Sequence, residues 1–209
     1  MSPSFFKGKD IIEVGPGSGH NSIYTATLLP RTYELVEPNP VALKDIAKIF
    51  GNLSIKHTNP NIIPQCLEDF KNDKQHDIAI CEGWLGGIDD YEKSMLIKLS
   101  SFVKSGGVML ITFYSPIGGM ATFLRRLLGY RLISKKDPMK KKTNTLEKAF
   151  SSHLNTMSSM SRSHEHWIQD SILNPHIYVG ISTPRLFTQI LGDEFVIYQS
   201  VPRFATDWR

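Results

Sequence analysis

An acidic residue and three alternating glycines near the start of the chain could bind a nucleotide-like ligand. They read Glu13-Val-Gly15-Pro-Gly17-Ser-Gly19 and follow a short apolar run. Glycine lets the backbone turn sharply and approach a ligand closely, because it has no side chain to collide with that ligand. A helix predicted over 20–29 would begin next to the loop and present its first N–H groups to the same ligand.

The spacing of this loop excludes two common phosphate-binding patterns. The dinucleotide pattern G-x-G-x-x-G needs a glycine or alanine where this chain has His20. The triphosphate pattern ends in Gly-Lys-Ser/Thr, and the lysine is missing here. An acidic residue before the loop would repel a pyrophosphate but could hold an ammonium or a sulfonium-bearing ligand. A purely structural turn between strand and helix is the alternative interpretation.

A second acidic residue lies about twenty residues after the loop, at the end of a second predicted strand. Residues 33–38 read Y-E-L-V-E-P, so the strand ends in Glu37 and Pro38 stops it. A carboxylate in this position can accept hydrogen bonds from both ribose hydroxyls of an adenosine ligand.

Together these residues resemble the first two motifs of the class I S-adenosylmethionine-dependent methyltransferases, whose loop reads E/D-x-G-x-G-x-G. The resemblance implies an α/β fold, with a Rossmann-like, mostly parallel sheet and helices on both faces. It implies S-adenosyl-L-methionine as the cofactor and Glu37 as the residue that binds its ribose. The implied contacts to the methionine end come from Glu13, Gly15, Gly17 and Gly19.

A third match with the family follows the region of the third predicted strand. Residues 65–70 read Q-C-L-E-D-F. In the family, a polar or acidic residue here meets the adenine amino group, and an apolar neighbour covers the ring. Leu67 and Glu68 are the candidates, with Asp69 as an alternative to Glu68. An acidic start of a helix would give the same pattern, because carboxylates favour that position.

The resemblance extends to the end of the fourth predicted strand. Asp77 opens an apolar run that ends in Glu82, where the carboxyl ends of parallel strands present ligand-binding and catalytic groups. In the family this strand end faces the methionine part of the cofactor and the incoming nucleophile. Glu82 is therefore a candidate cofactor contact and either a substrate-orienting carboxylate or a general base. Alternatively, it caps the helix predicted to begin near Asp89.

Two histidines late in the chain are further candidates for catalysis. On a helix over 161–170, His166 and Asp170 share a face. A carboxylate holds a histidine in one tautomer and makes it a better proton acceptor. Transfer to an alcohol needs a nucleophile that loses its proton, so His164 or His166 could be the general base. An ordinary amphipathic helix with Trp167 in the core is the alternative, and no third ligand supports a metal site.

Alternating strands and helices predict the parallel sheet that would position these residues. The predicted strands lie near 10–15, 33–37, 53–57, 77–82 and 107–114, and the predicted helices near 20–29, 40–50, 89–104 and 117–129. A helix over 183–191, a strand over 194–198 and a closing antiparallel strand are expected to follow.

The length of 209 residues suits a single domain over 1–209. The alternation of elements breaks between 130 and 182, and we expect this insert to form the acceptor-binding region. The predicted sheet is shortened at both ends, so a homodimer or a partner subunit stays open.

Composition and charge narrow the function further. Two cysteines are too few for a disulfide framework, and neither a secretory segment nor a run long enough to span a membrane is evident, so we expect a cytoplasmic protein.

Eight Lys and Arg residues cluster within 125–142. Such a span can bind nucleic acid, an anionic membrane surface or a phosphorylated substrate, and a solvated basic loop is the alternative.

The sequence thus predicts a methyltransferase that acts on an oxygen, with nitrogen as second choice, of a small acceptor such as a sugar or another metabolite, and an anionic acceptor stays open. Two alternatives stay open. One is an RNA or protein methyltransferase that docks through the basic span 125–142, although a lack of stacking aromatic residues disfavours nucleic acid. The other is a non-catalytic cofactor-binding subunit.

Overall fold

The computed structural model describes residues 2–85, 89–113, 115–157, 160, 163–174 and 182–201. The chain divides into two compact units, which are Met1–Phe113 with Ser182–Arg209, and Tyr114–Ile181. The strands are β1 (Asp10–Val14), β2 (Thr32–Val36), β3 (Asn61–Ile63), β4 (His76–Cys81) and β5 (Val103–Ile111). The α-helices are α1 (His20–Thr27), α2 (Pro40–Gly51), α3 (Asp90–Ser101), α4 (Pro116–Leu132), α5 (Met139–Leu154), α6 (His164–Ile168) and α7 (Pro184–Leu191).

The first unit is built on one parallel sheet. Over the described part of the chain it has five strands in the order β3-β2-β1-β4-β5, and all neighbouring pairs are parallel. The chain leaves β1 toward β2 on one side and later returns to β4 on the other side. Ligands of open α/β sheets bind outside the carboxyl ends of the strands at such a switch point, so a site is expected between β1 and β4.

Both faces of this sheet are buried. Ile12 of β1 packs into a cluster with Leu96 of α3 and Phe187 of α7. Its neighbour Ile11 points to the other face and packs into a cluster with Ile46 of α2. Parallel strands covered on both sides read as continuous apolar runs, which is why β1 and β4 were recognisable from the sequence.

A buried charge joins strands β1, β4 and β5 at their amino ends. The Asp77 carboxylate on β4 accepts a hydrogen bond from the backbone N–H of Asp10 on β1 at 2.8 Å. It also forms ion pairs with Lys104 on β5 and with Lys9, the latter at 3.7 Å. These contacts lie at the edge of the sheet opposite to the glycine loop.

The third strand was predicted in the wrong place. The alternating pattern of residues 53–57 suggested a strand, but this segment has no regular structure and Ile55 is exposed. The strand that pairs with β2 is Asn61–Ile63, with Asn61 opposite Glu34. β5 also begins earlier than predicted, at Val103 rather than 107, and ends at Ile111.

The predicted late strand over 194–198 is also wrong. Helix α7 ends at Gly192 as expected, but a 3-10 turn, Gly192–Glu194, follows it. Residues 195–200 form no strand, and the alternating apolar side chains Val196 and Tyr198 are exposed. The pattern misled because a strand also needs a partner edge with which to pair. The expected closing strand over 202–209 lies outside the described residues.

The second unit is helical in its described residues. Helices α4, α5 and α6 are followed by a π-helical turn, Gln169–Leu173. Its core contains Leu146 and Phe150 of α5, Ile168 of α6 and Ile172 of the π-helical turn. The assignment of 130–182 as an acceptor-binding insert of a single domain stays a prediction. Across the described residues, none of the helices has the length and apolar character needed to span a membrane.

Candidate functional site

The glycine loop between β1 and α1 depends on three left-handed backbone positions. Gly15, Gly17 and Gly19 have φ values of +72°, +56° and +79°. A side chain costs about 1–2 kcal/mol in this conformation, so glycine is favoured at each position. Gly19 is also packed closely, because a Cβ there would lie 2.9 Å from Cγ1 of Ile46. At Gly17, no heavy atom of the described residues other than its chain neighbours would lie within 4 Å of a Cβ, so the loop is open at its centre.

The first glycine of the loop is covered by Trp84. A Cβ on Gly15 would lie 2.4 Å from the indole Nε1 of Trp84, so only glycine leaves room for the ring. The same Nε1–H donates a hydrogen bond of 3.1 Å to the carbonyl of Val14, the last residue of β1. The end of β4 is thereby held directly against the start of the loop.

The carboxylate of Glu37 lies at the open centre of the loop. Glu37 is buried, and its Oε2 accepts a hydrogen bond from the backbone N–H of Gly17 at 3.0 Å. Its Oε1 accepts from the backbone N–H of Asn39 at 2.9 Å. The structure therefore brings the first two sequence motifs into direct contact.

Glu13 occupies a different environment from Glu37. Its carboxylate is buried and accepts a hydrogen bond from the hydroxyl group of Tyr33 on β2. Burial raises the pKa of Glu13, the Tyr33 hydrogen bond acts in the opposite direction, and the nearby negative charge of Glu82 adds to the increase. The side chain thus belongs to the interior of the unit, and its predicted contact with a charged ligand stays a prediction.

Glu82 follows β4 at the predicted switch point and is half-buried. Its Oε2 accepts a hydrogen bond from Nδ2 of Asn21 on α1 at 3.2 Å. The alternative that Glu82 caps α3 is wrong, because Asp89 is the N-cap and its side chain accepts from the N–H of Glu92 at 2.8 Å.

A further hydrogen bond connects the ends of β4 and β5 beside Glu82. The backbone N–H of Gly83 donates to Oγ1 of Thr112 at 2.8 Å. With the Asn21 contact, this bond joins α1, β4 and β5 around Glu82, and it leaves the carboxylate partly accessible at the carboxyl edge of the sheet.

The candidates for adenine recognition lie in contrasting positions. Leu67 is buried in the same apolar cluster as Val36, the last residue of β2. Glu68 is exposed, and its side chain interacts with the hydroxyl group of Tyr91. Burial and the Glu68 hydrogen bond raise the pKa of Tyr91 to about 12. Asp69 is exposed. The adenine-binding roles of Leu67 and Glu68, with Asp69 as alternative, stay predictions.

The candidate catalytic histidines lie on α6 in the second unit. His166 is exposed and His164 half-buried. Helix α6 is capped by Ser163, whose Oγ accepts from the backbone N–H of His166 at 3.3 Å. Trp167 packs against the core of this unit, as the amphipathic alternative expected. The roles of both histidines as general base stay predictions.

Among the described residues, no group of three or more His, Cys, Asp or Glu side chains is arranged to hold a metal ion. Three polar or aromatic residues at the site were not identified from the sequence, namely Asn21, Trp84 and Thr112. Trp84 had the clearest signal, because it follows Glu82 by two residues at a strand end. Asn21 and Thr112 are revealed by their contacts across the fold rather than by spacing.

No profile of a known protein family matches the sequence, and no curated protein matches it. Solved structures do match. PKMT2 from Rickettsia typhi has a TM-score of 0.62 and 11% identity over 91% of this chain and 38% of that protein. Its complex with AdoHcy has a TM-score of 0.59 and 14% identity, over 97% and 43% respectively. A SAM-dependent methyltransferase from Methanosarcina mazei has a TM-score of 0.50 and 16% identity, over 58% and 60%.

These similarities show the fold. The prediction of an α/β fold with a Rossmann-like parallel sheet is confirmed by the strand order and by the matched structures. This chain spans less than two thirds of the length of each of the three structures.

We predict that Gly15→Ala destabilises the protein more than Gly17→Ala. Both substitutions require a left-handed backbone, at about 1–2 kcal/mol, but only alanine 15 collides with the Trp84 ring. The added overpacking should cost a further amount of about 1–3 kcal/mol. Urea unfolding of both variants measures the difference.

A double-mutant cycle provides the control for this collision. Trp84→Ala should remove most of the extra cost of Gly15→Ala and leave the cost of Gly17→Ala unchanged. Additive effects of Gly15→Ala and Trp84→Ala would contradict the contact.

We predict that Glu13→Gln changes the pH dependence of stability. The pKa of Glu13 is raised above its ordinary value of 4.5 in the folded protein, mainly by burial. The native chain should therefore lose free energy of unfolding as the pH rises above 4.5 toward the folded pKa, and the variant should lack this loss. Urea unfolding at pH 5 and pH 8 tests the difference.

The exposed Glu194→Gln serves as a matched control for the removal of one carboxylate. It should keep the pH dependence of the native chain. A Glu13→Gln variant whose stability varies with pH in the same way as that of the native chain would refute the assignment of a raised pKa to this group.

Proposed function

We propose that this chain is an S-adenosylmethionine-dependent methyltransferase that modifies an oxygen, or as second choice a nitrogen, of a small molecule such as a sugar or another metabolite. The fold supports the class of reaction, because PKMT2 and the Methanosarcina mazei methyltransferase share it. The site described above supports the cofactor, and the structure of PKMT2 in complex with AdoHcy agrees with it.

One observation carries the proposal, namely the buried carboxylate of Glu37 at the open centre of the glycine loop. The carboxylate is oriented by the N–H groups of Gly17 and Asn39, so its geometry is set before a ligand arrives. A fixed acceptor at the end of β2 suits the two hydroxyl groups of a ribose. The open space at Gly17 suits the close approach of a ligand to the backbone.

The residues of this chain fit the cofactor in distinct roles. Glu37 would hold the ribose, while the loop of Gly15, Gly17 and Gly19 would hold the methionine end. Leu67 and Glu68 are proposed at the adenine. Glu13 would support the loop from the interior of the unit, because its carboxylate is buried and accepts a hydrogen bond from Tyr33.

The cofactor, when bound, supplies a methyl group on a positively charged sulfur. The protein must align an acceptor hydroxyl with that methyl group in a pocket that excludes water, and alignment of this kind supplies much of the rate in such displacements. Glu82 is held by Asn21 at the correct strand end to orient the hydroxyl or to accept its proton. His164 and His166 stay the alternative candidates for the base.

The intramolecular hydrogen bonds of basic residues within the span 125–142 favour a small-molecule acceptor over RNA. Arg125 donates to Nε2 of His153, and Arg126 donates to the backbone carbonyls of Ser171 and Asn174. Lys141 also donates to the carboxylate of Asp137, and Lys142 donates to the carbonyl of Lys135. Four of the eight basic residues are therefore engaged within the second unit rather than available for phosphates. A cytoplasmic location and a homodimer or partner subunit stay predictions.

We predict that Glu37→Gln weakens the binding of S-adenosylhomocysteine. Hydrogen bonds to a charged group contribute about 1.5–3 kcal/mol, which corresponds to a loss of roughly 10-fold to 100-fold in affinity. Titration calorimetry measures the change. Glu194→Gln, which removes an exposed carboxylate, should bind as the native chain does. If the native chain binds neither the cofactor nor its demethylated product, the proposal fails.

We predict that labelled methyl groups appear in a small-molecule pool. The protein and methyl-labelled S-adenosylmethionine are incubated separately with a filtered metabolite extract, with total RNA and with total protein. Label in the RNA or protein pool alone would contradict the small-molecule assignment, and cofactor binding with no label in any pool would favour a non-catalytic subunit.

The same assay assigns the general base. Loss of a base lowers turnover by about 10²–10⁴-fold. If Glu82 is the base, Glu82→Gln should show this loss while keeping the affinity for S-adenosylhomocysteine. If a histidine is the base, the double variant His164→Ala with His166→Ala should show it instead. Unchanged turnover in either variant would exclude that group.

A further inference from the structure

Helix α4 packs against the other helices of the second unit through polar and small residues rather than apolar ones. Arg125 stacks on the ring of Trp167, with its guanidinium carbon 5.7 Å from the ring centroid, and also donates to His153. Gly129 lies against the unit's core, because a Cβ there would come 2.9 Å from a methyl group of Ile172. Arg126 is bonded to backbone carbonyls on the same side. The face that most helices fill with leucine is here occupied by arginine and glycine.

Five large apolar side chains of α4 lie on its exposed face. They recur at intervals of three and four residues, which places them on one stripe of the helix. Each is between 40% and 58% exposed. We call them the α4 stripe, and they are Met120, Phe123, Leu124, Leu127 and Leu128. A contiguous exposed patch of large apolar side chains marks an interaction surface, whereas scattered ones are ordinary.

The chain segment that contains the α4 stripe carries a strongly positive net charge. Residues 115–154 contain nine Lys and Arg residues and two Asp and Glu residues, a net charge of +7 where the whole chain carries +4. Arg131 lies on the same stripe, one turn after Leu127, and is exposed. Lys135, Lys136 and Lys140 follow and are also exposed.

We propose that the α4 stripe docks on the surface of an anionic lipid bilayer. A helix with Leu, Phe and Met on one face and basic residues beside them lies in the membrane interface, with the apolar side chains at the acyl boundary and the cations at the lipid phosphates. Juxtaposed basic residues add attraction to an anionic leaflet. Arg131, Lys135, Lys136 and Lys140 supply that charge.

Charge complementarity selects this occupant over two others. A second copy of the chain would bring two strongly positive surfaces together, which is repulsive. A nucleic acid would pair with the cations but would leave the apolar stripe without a partner, since bases stack on aromatic rings rather than on leucine or methionine. An anionic bilayer satisfies both the apolar and the charged parts of the surface.

Binding of the full chain to lipid vesicles tests this proposal. The assay contains neither cofactor nor acceptor, so its result is independent of methyltransferase activity. The chain is sedimented with vesicles of phosphatidylcholine containing phosphatidylglycerol, and with vesicles of phosphatidylcholine alone. We expect binding to the anionic vesicles that weakens with added salt.

Two variants separate the apolar and charged contributions. Leu124→Ser with Leu127→Ser should weaken binding by about tenfold or more, since each leucine loses its place at the acyl boundary. Lys135→Gln with Lys136→Gln should weaken binding by roughly tenfold and reduce its dependence on salt. The matched controls are Val41→Ser, which removes an exposed apolar side chain of α2, and Lys44→Gln, which removes an exposed lysine there.

The substituted side chains are exposed, so unfolding midpoints should stay those of the native chain. Should the leucine variant unfold, the lysine variant still decides the question. The proposal is overturned if the native chain ignores anionic vesicles, if it binds neutral vesicles equally well, or if both variants bind as the native chain does. It is also overturned if sedimentation equilibrium shows a dimer that the leucine variant abolishes, because a second copy would then cover the stripe.

Discussion

The hydrogen bond from the N–H of Gly17 to Glu37 depends on the register of two parallel strands. Val14 of β1 pairs with Val36 of β2, and the N–H of Gly15 donates to the carbonyl of Val36 at 2.9 Å. This register places Glu37 beside the loop, at the position where both strands end. A slip by one residue would turn the carboxylate to the other face of the sheet, because side chains alternate along a strand. The architecture of the site therefore follows from strand pairing.

Two carboxylates near the loop show how environment separates their roles. Glu37 accepts hydrogen bonds from two backbone N–H groups beside the glycine loop, and these bonds fix the orientation of its carboxylate. Glu13 is two residues from the loop but faces a tyrosine hydroxyl group in the interior, where burial favours its neutral form. The same residue type thus contacts the backbone of the glycine loop at one position and a buried tyrosine hydroxyl group at the other.

The parts of the fold that were predictable are those encoded by neighbouring residues. The apolar run of β1, the alternating glycines and the acidic end of β2 are local patterns, and the structure places each close to its predicted position. The third strand and the absence of a strand at 194–198 were not predictable, because pairing depends on which edge is available far along the chain. Trp84 was missed for the same reason, since its importance comes from a glycine that precedes it by almost seventy residues.

Because of Asp77, the amino ends of the strands are held together by different contacts from their carboxyl ends. Asp77 joins β1, β4 and β5 at their amino ends through a hydrogen bond from Asp10 and an ion pair with Lys104. At their carboxyl ends the strands run into turns that single hydrogen bonds connect, such as the bonds from Gly17 to Glu37 and from Gly83 to Thr112. A substitution in the glycine loop is therefore expected to disturb the turns at one end of the strands, while the contacts of Asp77 preserve strand alignment at the other end.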